Sequence, residues 1–196
     1  MIKRLFDIAT AAVGLALLAP LFALVALWIK LDSTGPVFFR QQRVGRFGKP
    51  FNIIKFRTMS ARTGPALQLT VGADCRITRA GHLLRRYKID ELPQLINVLQ
   101  GTMSLVGPRP EVPRYMACYP PDARAIVLSV APGITDWASI LYCEESQILG
   151  QAPDPERAYI DTILPIKIGY YVRYVQERNF WTDMRIIFGT LVATLH

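Results

Sequence analysis

A chain of 196 residues with 51% apolar content and a mean hydropathy of +0.23 has room for one modest domain and one anchor-sized apolar segment. A formal charge of +8 and a pI near 9.7 point to an anionic partner: nucleic acid, an anionic membrane surface or phosphorylated substrates. Cys75, Cys118 and Cys143 have no C-x-x-C spacing, which argues against a disulfide framework or structural zinc, and His82 and His196 are too separated for a histidine metal site. Any metal is therefore oxygen-bound and Mg²⁺-like.

At the start of the chain, Lys3, Arg4 and Asp7 precede an uncharged run from Ile8 to Ile29, closed by Lys30. As a helix this run is about 33 Å long, enough to cross a bilayer core. A cleaved signal peptide is a poor reading, because Ala19 is followed by Pro20. A spanning helix would carry Lys30, Arg40, Arg43 and Arg46 to the far side, against the positive-inside rule. A helix buried in a soluble core is the bland alternative. The expectation is a re-entrant hairpin broken at Ala19 and Pro20, where the missing N–H bends the helix and returns both basic ends to one face. Residues 1–31 are then a re-entrant membrane anchor, and 32–196 a cytoplasmic, membrane-associated domain.

Asp32 to Pro36 is a turn cluster. Val37–Phe39 and Phe51–Ile54 read as the arms of a hairpin, with Gly45 and Gly48 in a basic connection. Its cations read mostly as a solvated surface beside anionic lipid. Lys55 is the exception, set between Ile54 and Phe56 and expected to point inward. Ala61 to Asp74 reads as a mobile loop.

The most informative stretch is His82 to Gly101, HLLRRYKIDELPQLINVLQG. Asp90 is a good N-cap, Pro93 is tolerated in a first turn, and Gly101 is a plausible stop, so a helix is expected over Asp90–Gln100. Leu92, Leu95, Ile96 and Leu99 form its apolar stripe. A helix N-terminus favours ionised carboxylates and attracts phosphate oxygens. Asp90 and Glu91, with Arg85, Arg86 and Lys88 upstream, suit joint binding of a divalent cation and a phosphorylated ligand. The bland reading is that the pair only caps the helix.

Further on, prolines on both sides of Arg109 present one guanidinium in a fixed place, suited to bidentate phosphate or carboxylate contact, or simply to a surface turn. Tyr119–Ala123 opens a short helix, Ala131–Ile134 is a turn, and Asp154–Asp161 is helical and acidic. Lys167–Arg178 is rich in tyrosine and arginine, and Trp181–Leu195 is an amphipathic terminal helix. Such faces suit a membrane interface or plain packing. No nucleic-acid-binding pattern accompanies them, so no nucleic-acid partner is expected.

Taken together, KRLFDI (3–8), the apolar run broken at Pro20, IKLDSTGPVFFRQQRVG (29–45), FNIIKFRTM (51–59), IDELPQLINVLQGTMSLVGPRPE (89–111) and PGIT (132–135) resemble the bacterial sugar transferases. More closely, the chain is similar to the monotopic polyprenyl-phosphate phosphoglycosyl transferases, in their small, catalytic-domain-only form. The resemblance covers nearly the whole chain. It implies a mainly α, α/β fold: a re-entrant membrane helix hairpin, amphipathic interfacial helices and a small catalytic part containing a β-hairpin. It also implies transfer of a phospho-sugar from a UDP-sugar to undecaprenyl phosphate, with Mg²⁺ and release of UMP, at the cytoplasmic face of the bacterial inner membrane. Asp90 then matches the nucleophile that forms a covalent phospho-sugar enzyme, and Glu91 its metal-binding partner, the two together holding Mg²⁺. Lys55, Arg85 and Arg109 match phosphate-binding positions.

Downstream glycosyltransferases are implied partners, and a homodimer is left open. The chain departs from the family where Ala19 replaces a common Ser, and at Asp136–Ile140, so no sugar identity is carried over. Two other functions compete. A non-catalytic membrane-anchored scaffold of a glycan-assembly complex would use the dyad only as a cap. A basic nucleic-acid-binding protein would bury its first helix and bind in a salt-dependent way.

Overall fold

The computed structural model describes residues 2–60, 74–141 and 145–195. All but the last residue of the expected loop at 61–74 lies outside them. The first element, α1 (Ile2–Asp32), runs as one helix through Pro20 and is long and apolar enough to cross a membrane. The two-armed hairpin expected at Ala19 and Pro20 is not formed. A proline inside a helix removes one hydrogen bond, and here side-chain packing on both sides holds the helical path. Asp7, Ala11, Gly14, Leu18, Leu21, Val25 and Ile29 face the rest of the protein at intervals of three or four residues, in phase across the proline.

Polar ties fasten both ends of α1. Arg4 donates to the carbonyls of Val98 at 2.7 Å and Leu99 at 3.2 Å, satisfying the C-terminal end of α3 (Gln94–Gln100). Lys3 reaches Asp183 at 2.6 Å and the Val106 carbonyl at 3.1 Å. Asp7 accepts from Ser104 Oγ at 2.7 Å. At the other end Arg57 donates to Ser33 O at 2.8 Å and to Thr34 O, holding the chain just past the end of α1. The Asp32 carboxylate accepts from Ala80 N at 3.0 Å, in the first turn of α2 (Arg79–Arg86). Charges that read as a basic flank, and Arg57 in particular, are thus internal struts.

Strands β1 (Phe38–Val44) and β2 (Pro50–Phe56) form the expected hairpin with longer arms, in the register Phe38↔Phe56 to Val44↔Pro50. A second pair, β3 (Ser104–Val106) and β4 (Gly133–Thr135), is parallel. The turn expected at 131–134 is therefore partly strand. Gly107 and Gly133 pass so closely that a Cβ on Gly133 would lie 2.1 Å from Gly107 N. No side chain fits either position, and this contact fixes the Pro108–Arg109 segment.

The remaining helices are α4 (Pro113–Met116), α5 (Pro121–Leu128), α6 (Trp137–Leu141), α7 (Glu145–Gly150), α8 (Pro155–Ala158), α9 (Leu164–Glu177) and α10 (Phe180–Leu195). Asp154 caps α8, accepting from Arg157 N, and a widened turn at Tyr159–Ile163 leads into α9. Three apolar clusters hold these parts together. One joins α1, α3, β3 and α10 around Val98 and Met103, one joins α1, β2 and α2 around Phe56 and Leu84, and one packs α4, α5 and α9 around Tyr159 and Leu164.

Candidate active site

The stretch around Asp90 is built differently from the helix expected over Asp90–Gln100. Lys88, with φ 55° in the left-handed region, reverses the chain after α2, and Ile89–Glu91 forms a 3₁₀ turn. Only from Gln94 does α3 proper begin, ending as expected at Gly101 with φ 84°. Asp90 is thus inside a tight turn and not a helix cap. The apolar stripe also shifts: Leu95 and Val98 are buried together with Gln94 and Asn97, whereas Leu99 is exposed. The polar pair is buried because this face of α3 meets the unpaired edge of β2. There Asn97 accepts from Ile54 N at 2.9 Å and donates to Asn52 O at 2.9 Å.

The charged residues singled out in the sequence meet at this turn. Lys55 points inward from β2 and its Nζ lies 2.6 Å from Glu91 Oε1. Arg109 grips the same carboxylate with both guanidinium nitrogens, Nη1 at 3.2 Å from Oε2 and Nη2 on Oε1. Arg85 Nε donates to Thr58 Oγ1 at 2.8 Å, and its charge acts on Asp90 and Glu91. Asp90 is 8% exposed, and among the described residues no hydrogen bond to its carboxylate is found.

These surroundings push the two acids apart. Burial raises the Asp90 carboxyl above its usual range, the Glu91 charge adds to this, and Lys55 and Arg85 oppose it. Burial alone would also raise Glu91, but the charges and hydrogen bonds of Arg109 and Lys55 outweigh it and hold Glu91 well below the carboxylate range. Burial lowers the Lys55 ammonium despite Glu91, while the Glu91 charge holds Arg109 well above its ordinary value. Glu91 is therefore a fixed, neutralised anion, and Asp90 is an acid of raised basicity with lone pairs free of protein donors. In its ionised form such a carboxylate has lone pairs able to attack an electrophilic centre.

Asp90 and Glu91 are adjacent oxygen donors, Glu91 already holding Lys55 and Arg109, and the described residues contain no cluster of three or more His, Cys, Asp or Glu placed to hold a metal. A two-carboxylate set fits Mg²⁺, which is usually held by one or two carboxylates with substrate phosphate oxygens and water completing its shell. Sequence reading missed Thr58, Gln94, Asn97 and Asp136. Asp136 is buried behind Arg109, where it accepts from Ser139 N at 3.0 Å, and burial raises its carboxyl. Glu91, Gln94 and Asn97 at intervals of three were the legible signal for a polar helix face.

The sequence profile of the family described as bacterial sugar transferase matches residues 1–196. The chain belongs to this family of transferases. The UDP-glucose:undecaprenyl-phosphate glucose-1-phosphate transferase of Caulobacter vibrioides is 40% identical over 98% of this chain and 69% of its own length. The UDP-N-acetylgalactosamine-undecaprenyl-phosphate N-acetylgalactosaminephosphotransferase of Aeromonas hydrophila is 37% identical over 99% of this chain, but this chain spans 44% of it. The exopolysaccharide production protein PSS of Rhizobium leguminosarum bv. phaseoli is 38% identical over the whole chain and 96% of its own length.

Proposed function

We propose that the protein transfers a phospho-sugar from a UDP-sugar to undecaprenyl phosphate, the initiating step of glycan assembly, through an intermediate on Asp90. The observation that carries this reading is the pairing of a buried Asp90 carboxylate, without a protein hydrogen bond among the described residues, with a Glu91 already neutralised by Lys55 and Arg109. The names of the relatives supply the substrate classes.

In the first displacement an Asp90 oxygen forms a bond to the β-phosphorus of the UDP-sugar. The bond between that phosphorus and the oxygen bridging to the α-phosphate breaks, and its electron pair leaves with UMP. In the second, a phosphate oxygen of the polyprenyl phosphate bonds to the same phosphorus, and the electron pair of the broken P–O bond returns to Asp90. Lys55, Arg85 and Arg109 orient the phosphates and offset the charge that accumulates when one anion attacks another. Mg²⁺ bound at Asp90 and Glu91 would supply Lewis-acid neutralisation of the diphosphate. Two steps let one small site serve a water-soluble donor and a lipid acceptor in turn.

Membrane association belongs to this proposal. Leu5, Val13, Leu17, Leu24, Leu27 and Leu31 lie exposed on the face of α1 opposite its packed side, and Trp181, Phe188 and Leu191 lie exposed on α10. Because α1 is tied to the body at both ends, it lies in the cytoplasmic leaflet with the body, and both of its ends stay on the same side. Single cysteines placed at Ile2 and Leu31 are expected to label from one side only; labelling from opposite sides would refute it.

The test of the chemistry is the intact mass of detergent-purified protein incubated with Mg²⁺ and single UDP-sugars, without polyprenyl phosphate. Gain of one phospho-sugar, absent in Asp90→Asn, is expected and identifies the donor. No adduct with any donor, and no UMP release on adding undecaprenyl phosphate, would leave a membrane-anchored scaffold as the better reading.

A further inference from the structure

Gln94 is 1% exposed, and neither its amide nitrogen nor its carbonyl oxygen has a hydrogen-bond partner among the described residues. Buried carboxamides are bonded as a rule, because an unmade bond leaves the desolvation of the group uncompensated. Position on the chain indicates what the group is aimed at. Gln94 follows Glu91 by three residues and Asp90 by four, and precedes Asn97 by three. The backbone is already helical at Leu92 (φ −56°, ψ −33°) and Pro93 (φ −62°, ψ −13°), so side chains at these intervals share a face.

Both neighbours on that face reach β2: Glu91 bonds to Lys55, and Asn97 to the backbone of Asn52 and Ile54. Gln94 stands between them, one helical turn from the Asp90 carboxylate, and the two side chains do not bond to each other. A buried amide without a partner among the described residues, a turn from a carboxylate that no described protein donor holds, marks a place kept for something that arrives. Asn97, one turn further on the same face, is fully bonded and shows what a purely structural amide looks like here.

We propose that the Gln94 carboxamide is a substrate-binding group, its Nε2 donating to a non-bridging oxygen of the phosphoryl group as Asp90 attacks it and while it is held on Asp90. This rests on the phosphoglycosyl reading above. Gln94 follows Asp90 by four residues, so a phosphoryl group held on Asp90 would lie about one helical turn from the amide. Lys55, Arg85 and Arg109 already supply positive charge at the site, so a neutral donor from α3 completes the set of groups around the phosphoryl without adding charge.

Gln94→Met is close in shape and has no amide, and Gln94→Leu is a second apolar variant. For each, the thermal midpoint without substrate and the rate of adduct formation by intact mass are measured on the same preparation. The donor is whichever UDP-sugar labels the wild type. A midpoint at or above that of the wild type, with adduct formation slowed on the order of 10- to 100-fold, is expected, because an orphaned polar group leaves the core while a transition-state donor is lost. A rate within about twofold of wild type overturns the proposal. So does a slower rate accompanied by a lower midpoint in both variants, which would make Gln94 a second strut to β2. Wild-type protein that forms no adduct with any UDP-sugar brings down the underlying reading instead, before any variant is compared.

Discussion

Two charged clusters, the N-terminal knot around Asp183 and the dyad at Asp90 and Glu91, are finished to different degrees. At the N-terminal knot every group is answered. Lys3 bonds to Asp183 and Val106 O, Tyr174 OH donates to Asp183 at 2.7 Å, and Asp7 takes Ser104 Oγ and, at 3.3 Å, Leu105 N. At the dyad Glu91 is equally well answered, but Asp90 and Gln94 beside it are not. A closed network stabilises and specifies the fold, whereas open valences inside a protein oppose folding and persist where a ligand completes them. The knot belongs to the fold, and under the proposed function the dyad belongs to the chemistry.

Three substitutions and one pH series break or sharpen that contrast. Asp90→Asn is expected to reduce UMP release by more than about 10³-fold, since the amide cannot take the phosphoryl group. The thermal midpoint should not fall, because a buried charge is removed; wild-type turnover would remove Asp90 from the mechanism. Arg109→Lys keeps the charge but loses the two-pronged grip on Glu91, and kcat/KM should drop by about 10²-fold with little change in stability.

On the knot side, Asp183→Ala strips Lys3 and Tyr174 of their common acceptor. Chemical denaturation should show a loss of about 1–3 kcal/mol, with turnover per folded molecule unchanged. A large loss of turnover there would mean that the two clusters are coupled through β3.

The smallest expected effect is in pH dependence. Burial raises the Asp90 carboxyl, so the folded protein holds that proton to higher pH than the unfolded chain does. Its ionisation therefore opposes folding above the folded pKa, and the penalty vanishes below the ordinary aspartate value. Glu91 has the opposite sign: its stabilisation is present at neutral pH and is lost only as pH falls through its depressed pKa. Asp90→Asn should accordingly exceed the wild type in midpoint at neutral pH, with the gap closing towards about pH 4. A gap that widens on acidification would reverse the assignment of the raised carboxyl.

Motifs and local signals carried much of this. The hairpin around Gly45 and Gly48, the stop at Gly101, and the set Lys55, Arg85, Asp90, Glu91 and Arg109 were all legible from residue type, spacing and the family resemblance. The details that failed are those a neighbour decides. Asp90 looked like a helix cap that would stay readily ionised, but the chain reverses at Lys88 and buries it, so its carboxyl is raised. Pro20 looked like a break, but packing in phase on both sides keeps α1 whole.

By itself the sequence determined which segments are apolar, where the turns fall and which residues carry charge, because propensity and pattern are local properties. Tertiary structure alone decided which charges tie helix ends and which gather around the dyad. Arg57 and Lys55 are two residues apart on one stretch, yet Arg57 holds the backbone just past the end of α1 while Lys55 reaches Glu91. Whether a buried polar group is answered depends on what another part of the chain, many residues away, brings to it. That is a matter of three-dimensional proximity and desolvation, which no local pattern encodes.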